Sequence, residues 1–384
     1  MAPKTGQKGP DLEESLKAYF WQAGYFAVRG VPFRLDDEDI TDVDLWLYER
    51  PAALTRRRLL VDAKNKKVPR AAERLVWAKG LQSALGVDGA IVASTDKRTS
   101  SRRLAKTMGV ILLDGDAISK LTSSAKLRLD DLLTSEEFDG LFKKVDTDRR
   151  TNEWRTALLM ARASLLTSFG AHSTNTALRV AGFFGEEATL AAPASPQAQI
   201  ALRGLYTACA FVAIGLDYVL ADLAFQSQDD RRAALINAIR FGQTDSATAL
   251  STIRTAVSLV RQHAPNGNSV ARQVEKGFEE QASEVPAEII GEFVARLSSA
   301  DVLFASAREL ERNAYRLDMV HYDDMSIEAR SLLGVLLDFH GLSREKVAKA
   351  GARVVPPMPV QMEPLPIQTG SLFPDDSGER RDKE

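Results

Sequence analysis

The sequence predicts an α/β domain built on a mixed sheet with helices on both faces, followed by an all-α region and a disordered C-terminal tail. Three observations carry this. Short β-like runs alternate with amphipathic helical stretches between residues 25 and 113. Helical periodicity alone fills the chain from about residue 153 to 340. From Ala352 onward the chain is proline-rich and charged, with too little apolar content to fold. Strands that alternate with helices after a hairpin imply a mixed sheet covered on both sides.

Leu12, Leu16, Tyr19, Phe20 and Ala23 recur at helical spacing and Gly24 ends the run, so residues 11–23 read as an amphipathic helix. Helical phase puts Glu13 on the border of the apolar face and turns Glu14 away from it. Residues 25–33 are rich in aromatic and β-branched side chains, and Asp36, Asp37, Glu38 and Asp39 read as a solvated turn. Val43, Leu45 and Leu47 alternate with Asp42, Asp44, Trp46 and Tyr48, the period of two that marks a strand. Pro51 and the tract Arg56-Arg57-Arg58 make the next turn, and residues 59–64, Leu-Leu-Val-Asp-Ala-Lys, form a buried strand ending in charge. Asp62 and Lys64 are two apart and therefore share a face. Pro69 opens a helix at a position where its missing N–H costs little, and that helix runs to about residue 86. A strand at 88–94, a helix at 100–108 and a strand at 109–113, closed by Asp114-Gly115-Asp116, complete the first domain.

This divides the chain into a domain at 10–122, a charged connector at 123–152, a helical domain at 153–350 and the tail at 351–384. Helical segments are expected at 153–169, 196–227, 229–242, 245–263, 268–282, 285–321 and 325–340. The apolar content of 45% and charged content of 27% place the chain among globular proteins. A single cysteine, Cys209, excludes a disulfide framework and a cysteine-based zinc site, and suits a reducing cytoplasm. Residues 1–10 are polar, which predicts no signal peptide. The most apolar window, 205–225, contains Asp217 and Asp222, so a buried helix is expected there and no membrane span. Residues 1–124 carry 21 Lys and Arg against 16 Asp and Glu, while the remainder carries 29 against 36. A basic module tied to an acidic one suits a polyanion substrate for the first.

Phosphodiester hydrolysis needs a hydroxide in line with the leaving oxygen and positive charge to offset what builds on the phosphorus oxygens. Asp44 on one strand, with Asp62 and Lys64 on the next, is the minimum set for that chemistry. Mg²⁺, or Mn²⁺ in its place, is held by few carboxylates and keeps waters. A lysine beside it would orient or deprotonate the attacking water and stabilise the phosphorane. Glu13 would complete the metal shell or orient Lys64.

At these residues the sequence resembles the PD-(D/E)xK nuclease superfamily, and most of all its branch of Mrr-type restriction endonucleases and archaeal Holliday-junction resolvases. The likeness spans about residues 10–121 and lies in the order of its parts. Glu13 sits on the helix before Gly24-Tyr25, followed by Val43-Asp44-Leu45 and then Leu59-Leu60-Val61-Asp62-Ala63-Lys64. Ala90-Ile91-Val92-Ala93-Ser94, Arg103-Leu104-Ala105-Lys106 and Val110-Ile111-Leu112-Leu113 look like the closing strand, helix and strand. The chain departs in having Asp62 where glutamate is commoner, no proline before Asp44, and only Gln82 for a glutamine often found on the helix after the lysine. The resemblance implies a restriction-endonuclease-like fold and a cytoplasmic, metal-dependent DNA endonuclease of genome (antiviral) defence or DNA processing. Asp44, Asp62 and Glu13 would be the metal ligands and Lys64 their catalytic partner. Cutting both strands with one site per chain would favour a homodimer.

Arg56, Arg57, Arg58, Lys66, Lys67 and Arg70 flank the site in sequence and are candidate phosphate contacts. Lys97, Arg98, Arg102 and Arg103 are as readily a solvated face. Trp46 and Trp77 suit either core packing or base stacking. The four histidines have no paired ligand spacing. Arg316 and His321 fit the loose Arg-x4-His pattern of a helical ribonuclease family, which keeps a metal-independent ribonuclease open as an alternative. A non-catalytic nucleic-acid or protein adaptor built on the same fold is another. In the tail, Gln368, Leu372 and Phe373 look like the short peptides that dock nucleases and polymerases on the sliding clamp.

Overall fold

Five strands lie side by side in the same order as they occur in the chain: β1 (Phe26–Leu35), β2 (Glu38–Ala52), β3 (Thr55–Lys64), β4 (Gly89–Ser94) and β5 (Ile111–Leu113). The computed structural model describes residues 8–35, 38–64, 70–123, 131–297 and 301–351. Strands β1 to β3 form an antiparallel meander, and β4 and β5 add in parallel. Helices α2 (Ala71–Leu85) and α3 (Thr99–Met108) make the two parallel additions possible, because a parallel neighbour needs a crossover that carries the chain back. The mixed sheet with flanking helices agrees with the sequence reading, but its β2–β3 hairpin is longer. Ala52 still pairs with Thr55, so Arg56, Arg57 and Arg58 are strand residues rather than a turn, with Glu49 opposite Arg57 and Tyr48 opposite Arg58.

Side-chain alternation sends the strand residues to two different cores. On one face, Leu12, Leu16 and Phe20 of α1 (Lys8–Gln22) and Ile118 of α4 (Gly115–Ser123) pack on Leu45, Leu47, Val61, Ile91 and Ala93. On the other, Trp46, Tyr48, Leu60, Ala90 and Val92 meet Leu75, Ala78 and Leu81 of α2 and then run into the helical region without interruption. The Trp46 ring lies 5.1 Å from Phe169, Tyr48 5.8 Å from Phe304 and Phe26 6.1 Å from Phe211. The helical region therefore shares with α2 the cover over this face, and the described residues form one compact unit. Lys66, Lys67 and the tail motif Gln368, Leu372 and Phe373 lie outside the described residues.

Most helices of the second region fall where periodicity puts them, and the exceptions have physical reasons. α5 (Ser135–Arg149) occupies the expected connector. It opens on a capping box in which Thr134 accepts from the Glu137 N–H and Glu137 accepts in return from the Thr134 N–H. α7 (Ala171–Leu190) fills a stretch assigned to no element; its buried face mixes Ala177, Leu178, Ala181, Phe184 and Ala188 with small and polar residues such as Thr174, Thr176, Gly182 and Gly185. The expected helix at 285–321 is two, α12 (Ala287–Ala295) and α13 (Val302–Tyr315).

α8 (Pro196–Asp222) is the axis of the helical region, with 89% of its most apolar window buried inside the fold. It approaches α7 closely at two glycines. A Cβ on Gly204 would sit 2.6 Å from the Phe184 ring, and one on Gly215 would sit 2.3 Å from the Thr174 hydroxyl. Gly204→Ala is therefore expected to destabilise the protein by about 1–3 kcal/mol in urea denaturation, although alanine is the better helix former. An unchanged midpoint would mean that the two helices are not packed this closely.

Candidate active site

β2 and β3 pair up to Leu45 and Val61, while β2 continues along β1 and β3 continues along β4 as far as Lys64 opposite Ser94. Asp44, Asp62 and Lys64 stand where the two strands part, and the gap leaves backbone groups for side chains to satisfy. Asp44 Oδ2 accepts a hydrogen bond from the Ala63 N–H at 2.7 Å, replacing the lost strand partner. The Lys64 ammonium lies 3.3 Å from the same oxygen. Asp62 accepts from Arg74 on α2, through Nε at 2.7 Å to Oδ2 and through Nη2 to Oδ1. Partial burial pulls the Arg74 guanidinium below its ordinary range, and the charge of Asp44 acts in the opposite direction. The result is a half-buried cluster of two carboxylates and two cations on the α2 side of the sheet. Lys64 is its most open member, at 37% side-chain exposure.

Glu13, expected as the fourth member, does not join them. Arg29 lies opposite Leu45 in β1 and so projects toward α1. There its Nε donates to Glu13 at 2.9 Å and its Nη1 to Glu14 at 3.1 Å. Helical phase separates Glu13 from Glu14, but both are half-buried and both bind the same arginine of β1. Among the described residues, no three Asp, Glu, His or Cys side chains gather into a group that could hold a metal ion. Asp44 and Asp62 are left as the paired carboxylates.

Other expected contacts also have partners of their own. Arg56 is buried, with Nη2 donating to Asp217 of α8 at 2.9 Å, which takes it away from any phosphate. Arg57 pairs with Glu49. Arg58 Nη2 donates to the Gly86 carbonyl at 2.7 Å, and the guanidinium lies over the Tyr218 ring. Lys97, Arg98 and Arg102 are engaged by Asp116, Asp96 and Asp114. Arg70, at the start of α2, lies 3.4 Å from Glu73 and remains 75% exposed. Trp46 is fully buried, whereas Trp77 is exposed on α2. The His321 ring caps a short turn by accepting from the Asp323 N–H, and Arg316 lies 4.0 Å from Asp131.

Sequence reasoning passed over Arg74. Its one signal is its place on the flank of the buried α2 stripe of Ala71, Leu75 and Ala78, ten residues after Lys64. A second polar group that it passed over joins α1 to α13. Lys17 is buried over the Tyr315 ring at 3.6 Å and donates to Ser135 at 3.1 Å, while Glu311 accepts from the Trp21 indole N–H at 2.8 Å. Burial raises the Glu311 carboxyl to about 8, against the opposing charge of Lys17 and the Trp21 hydrogen bond. The fold thus favours protonated Glu311. That contribution is fully present below the ordinary value of 4.5 and is lost as pH rises through about 8. Glu311→Gln is expected to flatten the fall in thermal stability across this window, and an identical fall in both proteins would reject the assignment.

The chain matches no protein-family model, no curated protein and no solved structure. Function must be argued from the site.

Proposed function

We propose that the protein is a divalent-metal-dependent nuclease acting on DNA, with its centre at Asp44, Asp62 and Lys64. The observation that carries this reading is the parting of β2 and β3, which sets two carboxylates and a lysine around one opening. The residues present fit a hard divalent ion. Mg²⁺ asks for one or two carboxylates and keeps waters for its other positions, and these two carboxylates already draw two cations to themselves. Held by Asp44 and Asp62, Mg²⁺ or Mn²⁺ would supply Lewis acidity that offsets charge on the phosphorus oxygens and acidifies a water.

The chain's own groups have definable tasks. The Ala63 N–H fixes the Asp44 carboxylate, so that it is oriented before substrate arrives. Lys64, beside Asp44 and open to solvent, orients the attacking water and carries positive charge to the phosphorane. Arg70 is exposed at the start of α2 and suits a flanking phosphate. A cytoplasmic setting in genome defence or DNA processing belongs to the same proposal.

One observation favours a second reading. Arg74 already neutralises Asp62, as a fixed cation would in a non-catalytic adaptor built on this fold. Supercoiled, linear and branched DNA incubated with Mg²⁺, with Mn²⁺ and with EDTA separates the two. Nicking or degradation is expected with either metal and none with EDTA. Intact DNA of every form across a full metal titration would leave the adaptor reading standing.

A further inference from the structure

We propose that Arg74 is the exchangeable counter-ion of this centre. In the metal-free protein it closes the site by holding both oxygens of Asp62, and when the site is loaded it releases Asp62 and turns to the scissile phosphate. The inference rests on the nuclease reading and assigns a further catalytic residue to it.

Three features support the exchange. The contact is a side-on fork, with Nε and Nη2 each donating to a different oxygen of Asp62, and the same fork matches two oxygens of a phosphate. The arginine end of the pair reaches solvent, with 29% of the Arg74 side chain exposed against 8% for Asp62, so the guanidinium can leave the carboxylate without being stranded in the core. The contrast within this molecule is the Arg56–Asp217 pair, whose ends are 4% and 1% exposed. Finally, α2 is anchored by Ala71, Leu75, Ala78, Leu81 and Leu85, so the guanidinium can swing on its own side-chain torsions while the helix stays in place. Arg70, one turn earlier, extends the same flank with a second cation. As Arg74 leaves Asp62, one positive group replaces another at the carboxylate, and the guanidinium is free to bind a phosphate of the substrate.

The test uses the full chain and two readouts that do not depend on cleavage. Mg²⁺ binding is measured by calorimetry on wild type, Arg74→Ala and Arg74→Gln. The Arg74 Nε–H resonance, identified by its loss in Arg74→Lys, is followed through the same titration. Wild type is expected to bind Mg²⁺ with a clear shift or loss of that resonance. Both neutral variants are expected to bind on the order of tenfold more tightly. At saturating Mg²⁺ the neutral variants should cleave DNA on the order of tenfold more slowly, with Arg74→Lys recovering part of the rate. Mg²⁺ binding with equal affinity in all proteins and an unmoved Nε–H resonance would overturn the exchange while leaving the nuclease reading intact. Tighter Mg²⁺ binding with unchanged cleavage would overturn the transfer to phosphate. Absence of Mg²⁺ binding in wild type and variants alike would remove the nuclease reading itself, and this inference with it.

Discussion

Lys64→Ala and Asp62→Ala are each expected to lower DNA cleavage at saturating Mg²⁺ by roughly 10²- to 10³-fold or more, the scale of removing one group that stabilises charge in a transition state. Neither change should unfold the protein. Lys64 is 37% exposed and its contact to Asp44 is long, 3.3 Å, so its loss costs about 1 kcal/mol or less. Removing Asp62 releases a guanidinium that can reach solvent, rather than stranding a buried cation. Circular dichroism and a urea midpoint close to wild type would therefore accompany the lost activity. Glu13→Gln is the informative companion. The family resemblance makes Glu13 a metal ligand, whereas its pairing with Arg29 predicts cleavage within a few-fold of wild type. Full cleavage by the Lys64 or Asp62 variant would end the assignment, and a Glu13 variant as inactive as these would return Glu13 to the centre.

What the sequence disclosed of this site follows from the range of each signal. Alternation along a strand is local, so the shared face of Asp62 and Lys64, and the place of Asp44 one strand away, could be read directly. The parting of β2 and β3 that gives these side chains their opening is a matter of pairing between strands. The partner cations were not legible for the same reason. Arg29 and Arg74 differ from other arginines of the chain only in what tertiary packing puts opposite them, Glu13 in one case and Asp62 in the other. The fold shows a similar division. Apolar runs located α1, α2 and α8, while α7, whose Ala177, Ala181, Phe184 and Ala188 are interspersed with glycine and threonine, is a helix that the sequence reading leaves unassigned. Arg56 is the sharpest case, because a run of three arginines beside a catalytic strand reads as a phosphate contact until the carboxylate of a helix more than 150 residues later is found against it.

That carboxylate is the basis of the second large effect. Asp217 is 1% exposed near the C-terminal end of the long apolar helix α8, where an unpaired charge would be costly. It is balanced from the β2–β3 hairpin. Arg56 Nη2 donates to Oδ1 at 2.9 Å, Arg50 Nη1 lies 3.5 Å from the same oxygen, and the Tyr48 hydroxyl donates to Oδ2 at 2.7 Å. Burial, reinforced by the charge of Asp217, drives the Tyr48 phenol far above its ordinary range, so it remains a donor at any working pH. Asp217→Ala would leave Arg56 buried without its counter-ion, and a loss of about 3–5 kcal/mol is expected in urea denaturation. Asp217→Asn keeps an acceptor for Tyr48 but not the charge, and should fall between the two. Because β2 and β3 also carry Asp44, Asp62 and Lys64, the alanine variant should lose nuclease activity with temperature in step with its lower melting point, while its activity well below that point stays near wild type. A cost under about 1 kcal/mol would place this cluster among weak surface pairs, and the union of sheet and helical region would then rest on the aromatic contacts of Trp46, Tyr48 and Phe26 and on the contacts of Lys17 and Trp21 with α13.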